Sequence, residues 1–298
     1  MTSAAGLRGL LCPVPTPFDE SGEVDPDRLA AQIEIYATFP VDGVVVFGTS
    51  GEGPLIDETE EARSLEAARR AWPEGLLIPQ VGRESVRAAR RSAERAAAAG
   101  ADAVLCLPPR YYPYDADAIA RYWREVRDAA DLPLLAYHIP QRTHVGLAAD
   151  LLGALAEEGT LAGLKDSSGD LALQRALKDR SGDAFAVFNG RAMATAEALA
   201  EGADGAILAV ADAAPETVAA LFAAHRAGDR EGASRLQASL GPLAEAFGSR
   251  FGVPGIKAAL DLRGWPAGGP PRPPLAPLGS AGREAVATAL RAAGVDLS

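Results

Sequence analysis

The chain has 298 residues, 48% of them hydrophobic and 23% charged, with a formal net charge of −11. That is the balance of a soluble globular protein large enough to form one large α/β barrel or two smaller domains. The negative charge argues against nucleic acid or an anionic membrane surface as a partner. No apolar run reaches transmembrane length and no basic-then-apolar signal opens the chain, so the expected location is cytoplasmic.

In chain order, short apolar runs that read as strands begin near Leu10, Gly43, Leu76, Asp102, Leu132, Leu161, Ala184 and Asp204. Val44-Val45-Val46-Phe47 and Leu134-Leu135-Ala136-Tyr137 are apolar almost throughout, as parallel strands buried on both faces require. Amphipathic stretches rich in Ala, Arg, Glu and Leu separate them, among them 57–72, 85–99 and 117–130. Asp57 and Ser85 are placed as helix N-caps, and Gly100 as a C-terminal glycine. Eight strand–helix units predict a (β/α)8 TIM barrel over residues 1–228. Residues 229–298 read as a C-terminal helical extension packed on the barrel. It holds two helices, a Gly/Pro-rich connection at 264–277 and a last helix from Ser280 to Ala293. Cys12 and Cys106 lie in strand-like runs without CxxC spacing and read as reduced core residues.

In such a barrel the chemistry belongs at the C-terminal strand tips. After the second strand, Gly48-Thr49-Ser50-Gly51-Glu52-Gly53 can present successive N–H groups to a small carboxylate, or can be a plain glycine-rich turn. After the fourth, Pro108-Pro109-Arg110-Tyr111-Tyr112-Pro113-Tyr114 sets three tyrosines in one loop, which suits a pocket wall, a subunit interface or loop packing. The fifth strand ends in Tyr137-His138-Ile139-Pro140-Gln141-Arg142 and the sixth in Lys165. Of the 29 basic residues only Lys165, Lys178 and Lys257 are lysines. A desolvated lysine can become a free amine nucleophile and an arginine cannot; by itself, Lys165 also fits a surface lysine closing a strand. The three histidines, His138, His144 and His225, form no metal-binding spacing, so no metal site is expected.

Taken together these motifs resemble the dihydrodipicolinate synthase / N-acetylneuraminate lyase family of pyruvate-dependent class I aldolases. The likeness runs nearly end to end. It covers Pro15-Thr16-Pro17-Phe18, Gly48 to Glu52, the loop at 109–112, Leu132-Pro133 with Tyr137-His138-Ile139-Pro140, Gly163-Leu164-Lys165-Asp166, Gly202-Ala203-Asp204-Gly205 and Arg272-Pro273-Pro274-Leu275. The resemblance implies that Lys165 forms a Schiff base with pyruvate, that Tyr137 carries protons, and that Thr49, Ser50 and Gly51 hold the pyruvate carboxylate beside Ile207. It implies that Tyr111 crosses a tight dimer interface to a Thr49-linked relay in the neighbouring subunit of a homotetramer. It implies no metal and no organic cofactor.

The resemblance also aligns Arg142 with the arginine that grips the carboxylate of aspartate semialdehyde, so the leading expectation is 4-hydroxy-tetrahydrodipicolinate synthesis from pyruvate and that aldehyde. The second-substrate half departs from the pattern. Thr143-His144 stands for the usual Thr-Gly, Arg191 stands where an aspartate is common, and the family's asparagine ahead of the strand 8 loop proline is replaced within Ala211-Asp212-Ala213-Ala214-Pro215. The charged turn Gly82-Arg83-Glu84-Ser85 does not match the family's lysine-feedback site. The alternatives are an aldolase or dehydratase of another 2-keto acid (2-keto-3-deoxygluconate, 4-hydroxy-2-oxoglutarate or N-acetylneuraminate) and a non-catalytic barrel that binds a keto acid.

Overall fold

Each apolar run becomes a strand whose residues point alternately into a barrel and out toward helices. The computed structural model describes residue 4 and residues 6–297. The strands are β1 (Gly9–Cys12), β2 (Gly43–Val46), β3 (Leu76–Pro79), β4 (Val104–Cys106), β5 (Leu134–His138), β6 (Gly163–Asp166), β7 (Ala186–Asn189) and β8 (Gly205–Ile207). They form one parallel sheet in the order β3-β2-β1-β8-β7-β6-β5-β4. A parallel bridge between Gln80 and Leu105, with Val81 N donating to Leu105 O at 2.8 Å, brings the two ends together into a nearly closed barrel.

Leu11, Val45, Ile78, Leu105, Leu135, Phe188 and Ile207 point inward and fill the barrel. The alternate residues face outward, and Leu10, Val44 and Val46 share a core with Leu29 and Ile33 of the helix Pro26–Ala37. Strands this close leave no room for some side chains. A Cβ on Gly163 would sit 2.4 Å from Ala186 O, so glycine there lets β6 and β7 pair at the level just below Lys165.

The outer helices begin and end as the local sequence dictates. Ser85 caps Val86–Ala98 by accepting from Ala88 N at 3.4 Å, and Gly100 follows that helix at φ +75°. At Glu58–Ala71, Glu60 accepts from Asp57 N at 2.9 Å, the reciprocal half of a capping box. Beyond β8 come Ala209–Ala213 and Pro215–Arg226, then Arg230–Ser239, Gly241–Glu245 and Val253–Leu262, and finally Ser280–Ala292. The stretch expected as two helices after residue 229 is therefore three. Gly241-Pro242 and Gly252-Val253-Pro254 break the run, and a π-helical turn, Ala246–Arg250, bridges the second break. Such turns widen a helix and are frequent at functional sites. Ile256, Leu260, Val286 and Leu290 from these last helices join the core that contains Leu10 and Val44. Among the described residues no helix is long and apolar enough to cross a membrane.

Candidate active site

The loop after β2 turns through conformations that only close packing would hold. Phe47 has φ 59° and Glu52 φ 55°, left-handed values uncommon for residues with a side chain. A Cβ on Gly53 would lie 1.8 Å from Phe47 O, so the loop folds back on its own start only because glycine stands there. Thr16 Oγ1 donates to Gly51 O at 2.6 Å and fixes the middle of the turn. The result carries Thr49 and Ser50 into a cavity of about 770 Å³ above the barrel.

β5 and β6 pair in register, so Tyr137 lies opposite Lys165 and His138 opposite Asp166. Lys165 is 4% exposed and its Nζ sits 4.3 Å from the centre of the Tyr137 ring. The Tyr137 hydroxyl is 3.3 Å from Thr49 Oγ1. Burial pushes the Tyr137 phenol up, but the Lys165 charge and hydrogen bonds with Thr49, Ser167 and Lys165 outweigh it. The net pKa falls below the ordinary 10.0. A phenol easier to ionise, touching both a buried amine and a hydroxyl, is equipped to move protons at that amine.

The cavity is lined by Thr49, Ser50, Tyr137, Arg142, Lys165 and Ile207, so six of the residues singled out in the sequence converge on one space. Gly51 does not line it and serves as the turn behind Ser50. Tyr111 lies outside it. It is 78% exposed and stacks edge-on against Tyr112 at 5.0 Å, beside a separate depression lined by Arg110, Tyr114, His144 and Val145. Glu84 holds that loop by accepting from Tyr111 N at 3.1 Å. Arg191 and Glu245 enter the cavity wall, with Phe247 and Ser249 from the π-helical turn. Among the described residues neither Arg142 nor Arg191 has an ion pair or a side-chain hydrogen bond, whereas Arg83, Arg95, Arg263 and Arg272 are all paired with carboxylates.

Two supports beneath the site were not read from the sequence. The first joins the tips of β5 and β6. His138 Nδ1 meets Asp166 Oδ1 at 2.9 Å, while Leu147 N donates to His138 Nε2 at 3.3 Å. Because Nε2 accepts, the proton is on Nδ1 and the ring is the neutral tautomer. Asp166 also accepts from Ser168 N at 3.0 Å and from Gln174 Nε2 at 3.0 Å. Burial works against its charge, yet these donors hold the carboxyl below the usual carboxylate value. A His and an Asp one residue past Tyr137 and Lys165 are the visible signal, since neighbouring strands in register must bring them together.

The second support reaches from the C-terminal segment to the Thr49 loop. Lys257 Nζ pairs with Glu52 at 2.7 Å, with both side chains almost wholly buried, and donates to Pro270 O at 2.9 Å. Burial lowers the Lys257 pKa and Glu52 raises it back in part. Arg272 grips both Glu60 oxygens and Leu55 O, while its own backbone N donates to Glu52 Oε2 at 2.8 Å. Both cations sit over the Phe18 ring, Lys257 Nζ 4.2 Å and Arg272 Cζ 4.3 Å from its centre. Among the described residues no group of three or more His, Cys, Asp or Glu is arranged to hold a metal ion.

Comparison with known proteins finds matches over nearly the whole chain. Residues 6–293 match the Dihydrodipicolinate synthetase family. A DapA-like lyase of Halobacterium salinarum, itself uncharacterised, is 38% identical over 271 residues, covering 91% of this chain and 88% of its own length. The 4-hydroxy-tetrahydrodipicolinate synthase 1 of Streptomyces coelicolor is 35% identical over 288 residues, covering 95% and 92%. Among solved structures, the Cyanidioschyzon merolae enzyme with lysine bound superposes with a TM-score of 0.91 at 27% identity, covering 97% of this chain and 99% of its own. The Escherichia coli K12 prophage protein YagE in complex with pyruvate gives 0.91 at 26%, covering 98% and 100%.

Proposed function

We propose, for a chain that belongs to the dihydrodipicolinate synthetase family and is a lyase of its Schiff-base class, the condensation of pyruvate with aspartate semialdehyde to 4-hydroxy-tetrahydrodipicolinate. One observation carries the reading: a buried lysine amine, 4.3 Å from the Tyr137 ring, beside a hydroxyl pair at 3.3 Å, in a cavity whose wall holds Arg142, an arginine with no ion pair among the described residues. Lys165 Nζ attacks the keto carbon of pyruvate, and loss of water leaves a protonated imine. That cation draws electrons from the neighbouring methyl, which gives up a proton and becomes an enamine carbon nucleophile. The enamine attacks the aldehyde carbon, a new carbon–carbon bond forms, and the aldehyde oxygen takes a proton. The acceptor's own amine then displaces Lys165.

Tyr137, linked to Thr49, carries the protons released and taken up at the amine and the imine carbon. Thr49 and Ser50 hold the keto-acid carboxylate at the turn built by Gly51, beside Ile207. Arg142 takes the carboxylate of the second substrate, for which a guanidinium offers two parallel donors. The active form in this reading is a homotetramer made of two tight dimers, with Tyr111 reaching the Thr49 of its partner. The pyruvate complex of YagE and the synthase name of the Streptomyces relative support the reading.

A second reading has its own observation. Arg142 and Arg191 both stand in the cavity wall without a carboxylate partner among the described residues. Two free guanidiniums suit a dicarboxylic keto acid such as 4-hydroxy-2-oxoglutarate, which splits to pyruvate and glyoxylate, and suit an acceptor bearing an ammonium group less well.

Borohydride reduction in the presence of pyruvate is expected to add one pyruvate-derived adduct on the peptide that contains Lys165. Adduct on Lys178 or Lys257, or none, ends the Schiff-base reading for this chain's site. Product mass spectrometry then separates the substrates. Turnover of aspartate semialdehyde supports the synthase; cleavage of 4-hydroxy-2-oxoglutarate without it moves the second reading ahead.

A further inference from the structure

Arg142 stands in the cavity wall, yet among the described residues nothing holds its guanidinium. Its place is therefore set by the backbone that carries it. That backbone is the four-residue helix Pro140–Thr143 and the turn after it, where His144 takes a left-handed φ of 58°. The helix closes on itself, with Arg142 N donating to Ile139 O at 2.9 Å and His144 N to Pro140 O at 2.9 Å. Bonds of this kind fix the shape of a turn but not where it sits on the barrel.

Two pins, one on each side of Arg142, fix where it sits. Gln141 Nε2 donates to Ser167 O at 3.1 Å and to Ser168 O at 3.2 Å. Leu147 N donates to His138 Nε2 at 3.3 Å. Both pins lead back to one carboxylate, because Asp166 accepts from Ser168 N at 3.0 Å and pairs with His138 Nδ1 at 2.9 Å. Side chains alternate along a strand, so Tyr137 and Lys165 face the cavity while His138 and Asp166, the next residues, turn to the sheet's other side. There they are 6% and 0% exposed. The Leu147 side chain is buried as well, in the apolar core with Leu152 and Leu155. Apolar burial has no preferred direction, whereas a hydrogen bond weakens steeply off line, so the bond to His138 sets the segment's register.

We propose that His138 is a positioning residue for the second substrate: its imidazole, held by Asp166 next to Lys165, anchors the segment after Arg142 and so sets the span between the Lys165 amine and the Arg142 guanidinium. The proposal rests on the reading of Arg142 as the residue that takes the acceptor's carboxylate. The two ring nitrogens divide the work. Nδ1–H meets Asp166 and keeps the ring turned, and the Nε2 lone pair reaches Leu147. Tyr137, Thr49 and Lys165 meet one another without this bridge, so the pyruvate end of the cavity does not depend on it. A span fixed in this way selects acceptors by length. A carboxylate that meets Arg142 leaves the aldehyde carbon at the enamine only when the chain between them matches.

The test uses two substitutions, each of which keeps the work of one nitrogen. In His138→Asn the amide stands about where Nδ1 stood and still meets Asp166, but it falls short of Leu147. In His138→Gln the amide oxygen still accepts from Leu147 N. Three quantities are measured: half-saturation by pyruvate in borohydride trapping, KM with kcat for the acceptor substrate, and hydrogen exchange at the Leu147 amide. The acceptor substrate is aspartate semialdehyde or, where only that is turned over, 4-hydroxy-2-oxoglutarate. All are taken well below the Tm of each variant, so that lost stability does not enter them. His138→Asn is expected to exchange faster at Leu147 and to raise KM about tenfold, the cost of a misplaced bond to a charged group, with pyruvate half-saturation unchanged. His138→Gln should restore both. Because His138 acts through Arg142, adding His138→Asn to Arg142→Ala should raise KM no further than Arg142→Ala alone.

Wild-type KM in His138→Asn, or effects that add to those of Arg142→Ala, overturn the positioning role. A rise in KM matched by an equal rise in pyruvate half-saturation overturns it too, since the bridge then serves the whole site. Unchanged exchange at Leu147 removes the bridge itself. Wild-type KM in Arg142→Ala ends the reading of Arg142 and this proposal with it, and the exchange measurement still shows separately whether His138 holds the segment.

Discussion

The three residues to which the proposed chemistry is assigned could be picked out of the chain because each breaks a local pattern. Lys165 is a lysine in a chain that builds its positive charge from arginine, Tyr137 is polar at the end of an apolar strand, and Thr49 stands between glycines. What the sequence hides is which neighbours tune them. The Tyr137 phenol lies below its ordinary 10.0 because Lys165 on β6, Thr49 on the loop after β2 and Ser167 come together around it. Two outcomes are expected. Tyr137→Phe should lose on the order of 10²- to 10⁴-fold in kcat, the usual share of a positioned proton carrier, while still forming a trappable adduct at a reduced rate. In the wild type the alkaline limb of kcat should fall below pH 10, since proton donation ends when this phenol ionises early. Its stability contribution runs the same way: with the folded pKa depressed, Tyr137 stabilises the fold only at alkaline pH, and that gain disappears as pH falls through the lowered value. Phenolate absorbance titrated in the wild type and in Tyr137→Phe checks both; a difference spectrum that ionises above the ordinary value would refute the tuning.

At the scale of the element, the eight strands were legible because a parallel strand buried on both faces must be apolar along its length, and its start was found within about two residues each time. The helices after residue 229 were less so. A helix that packs on others through small residues carries little periodic signal, and Gly241-Pro242 and Gly252-Val253-Pro254 divide a run whose composition stays uniform. The Gly/Pro-rich connection was harder still, because its order comes from contacts with distant residues. Lys257 and Arg272 tie it to Glu52 and Glu60, more than 200 residues away in the chain for the Arg272 pair. Breaking a buried ion pair by removing one partner strands the other charge. Lys257→Met should therefore destabilise the fold by about 3–5 kcal/mol, measured by urea unfolding, and Lys257→Met with Glu52→Gln should recover much of that loss. Because Glu52 closes the loop that presents Thr49 and Ser50, the single variant should also bind pyruvate more weakly. If it loses stability with unchanged trapping by pyruvate, the strap holds the fold and not the site.

The whole molecule raises a matter that one subunit does not settle by itself. Tyr111 and Tyr112, 78% and 64% exposed, stand on a loop stiffened by Pro108, Pro109 and Pro113, while the hydroxyl pair of Tyr137 and Thr49 waits in a cavity that Tyr111 does not reach in its own chain. Large rigid aromatics exposed together are common at interfaces. In the proposed tight dimer, Tyr111 of each subunit completes the relay of the other, and this assignment makes a counting prediction. A Tyr111→Phe subunit spoils its partner's site, and a Lys165→Arg subunit spoils its own. A mixed dimer of the two then has one site with both defects and one site with neither, so co-expressing two inactive variants should restore activity, up to about half of the wild-type value per mixed dimer for an isologous pair. Native mass spectrometry establishes that mixed dimers are present. Mixed dimers as inactive as their parents would show that Tyr111 does not act across the interface, and full activity in a monomer at assay concentration would show that no partner is needed. The two failures are distinct. The first leaves the assembly intact and removes only the tyrosine from it, whereas the second returns the whole of the chemistry to the barrel built by β1 to β8.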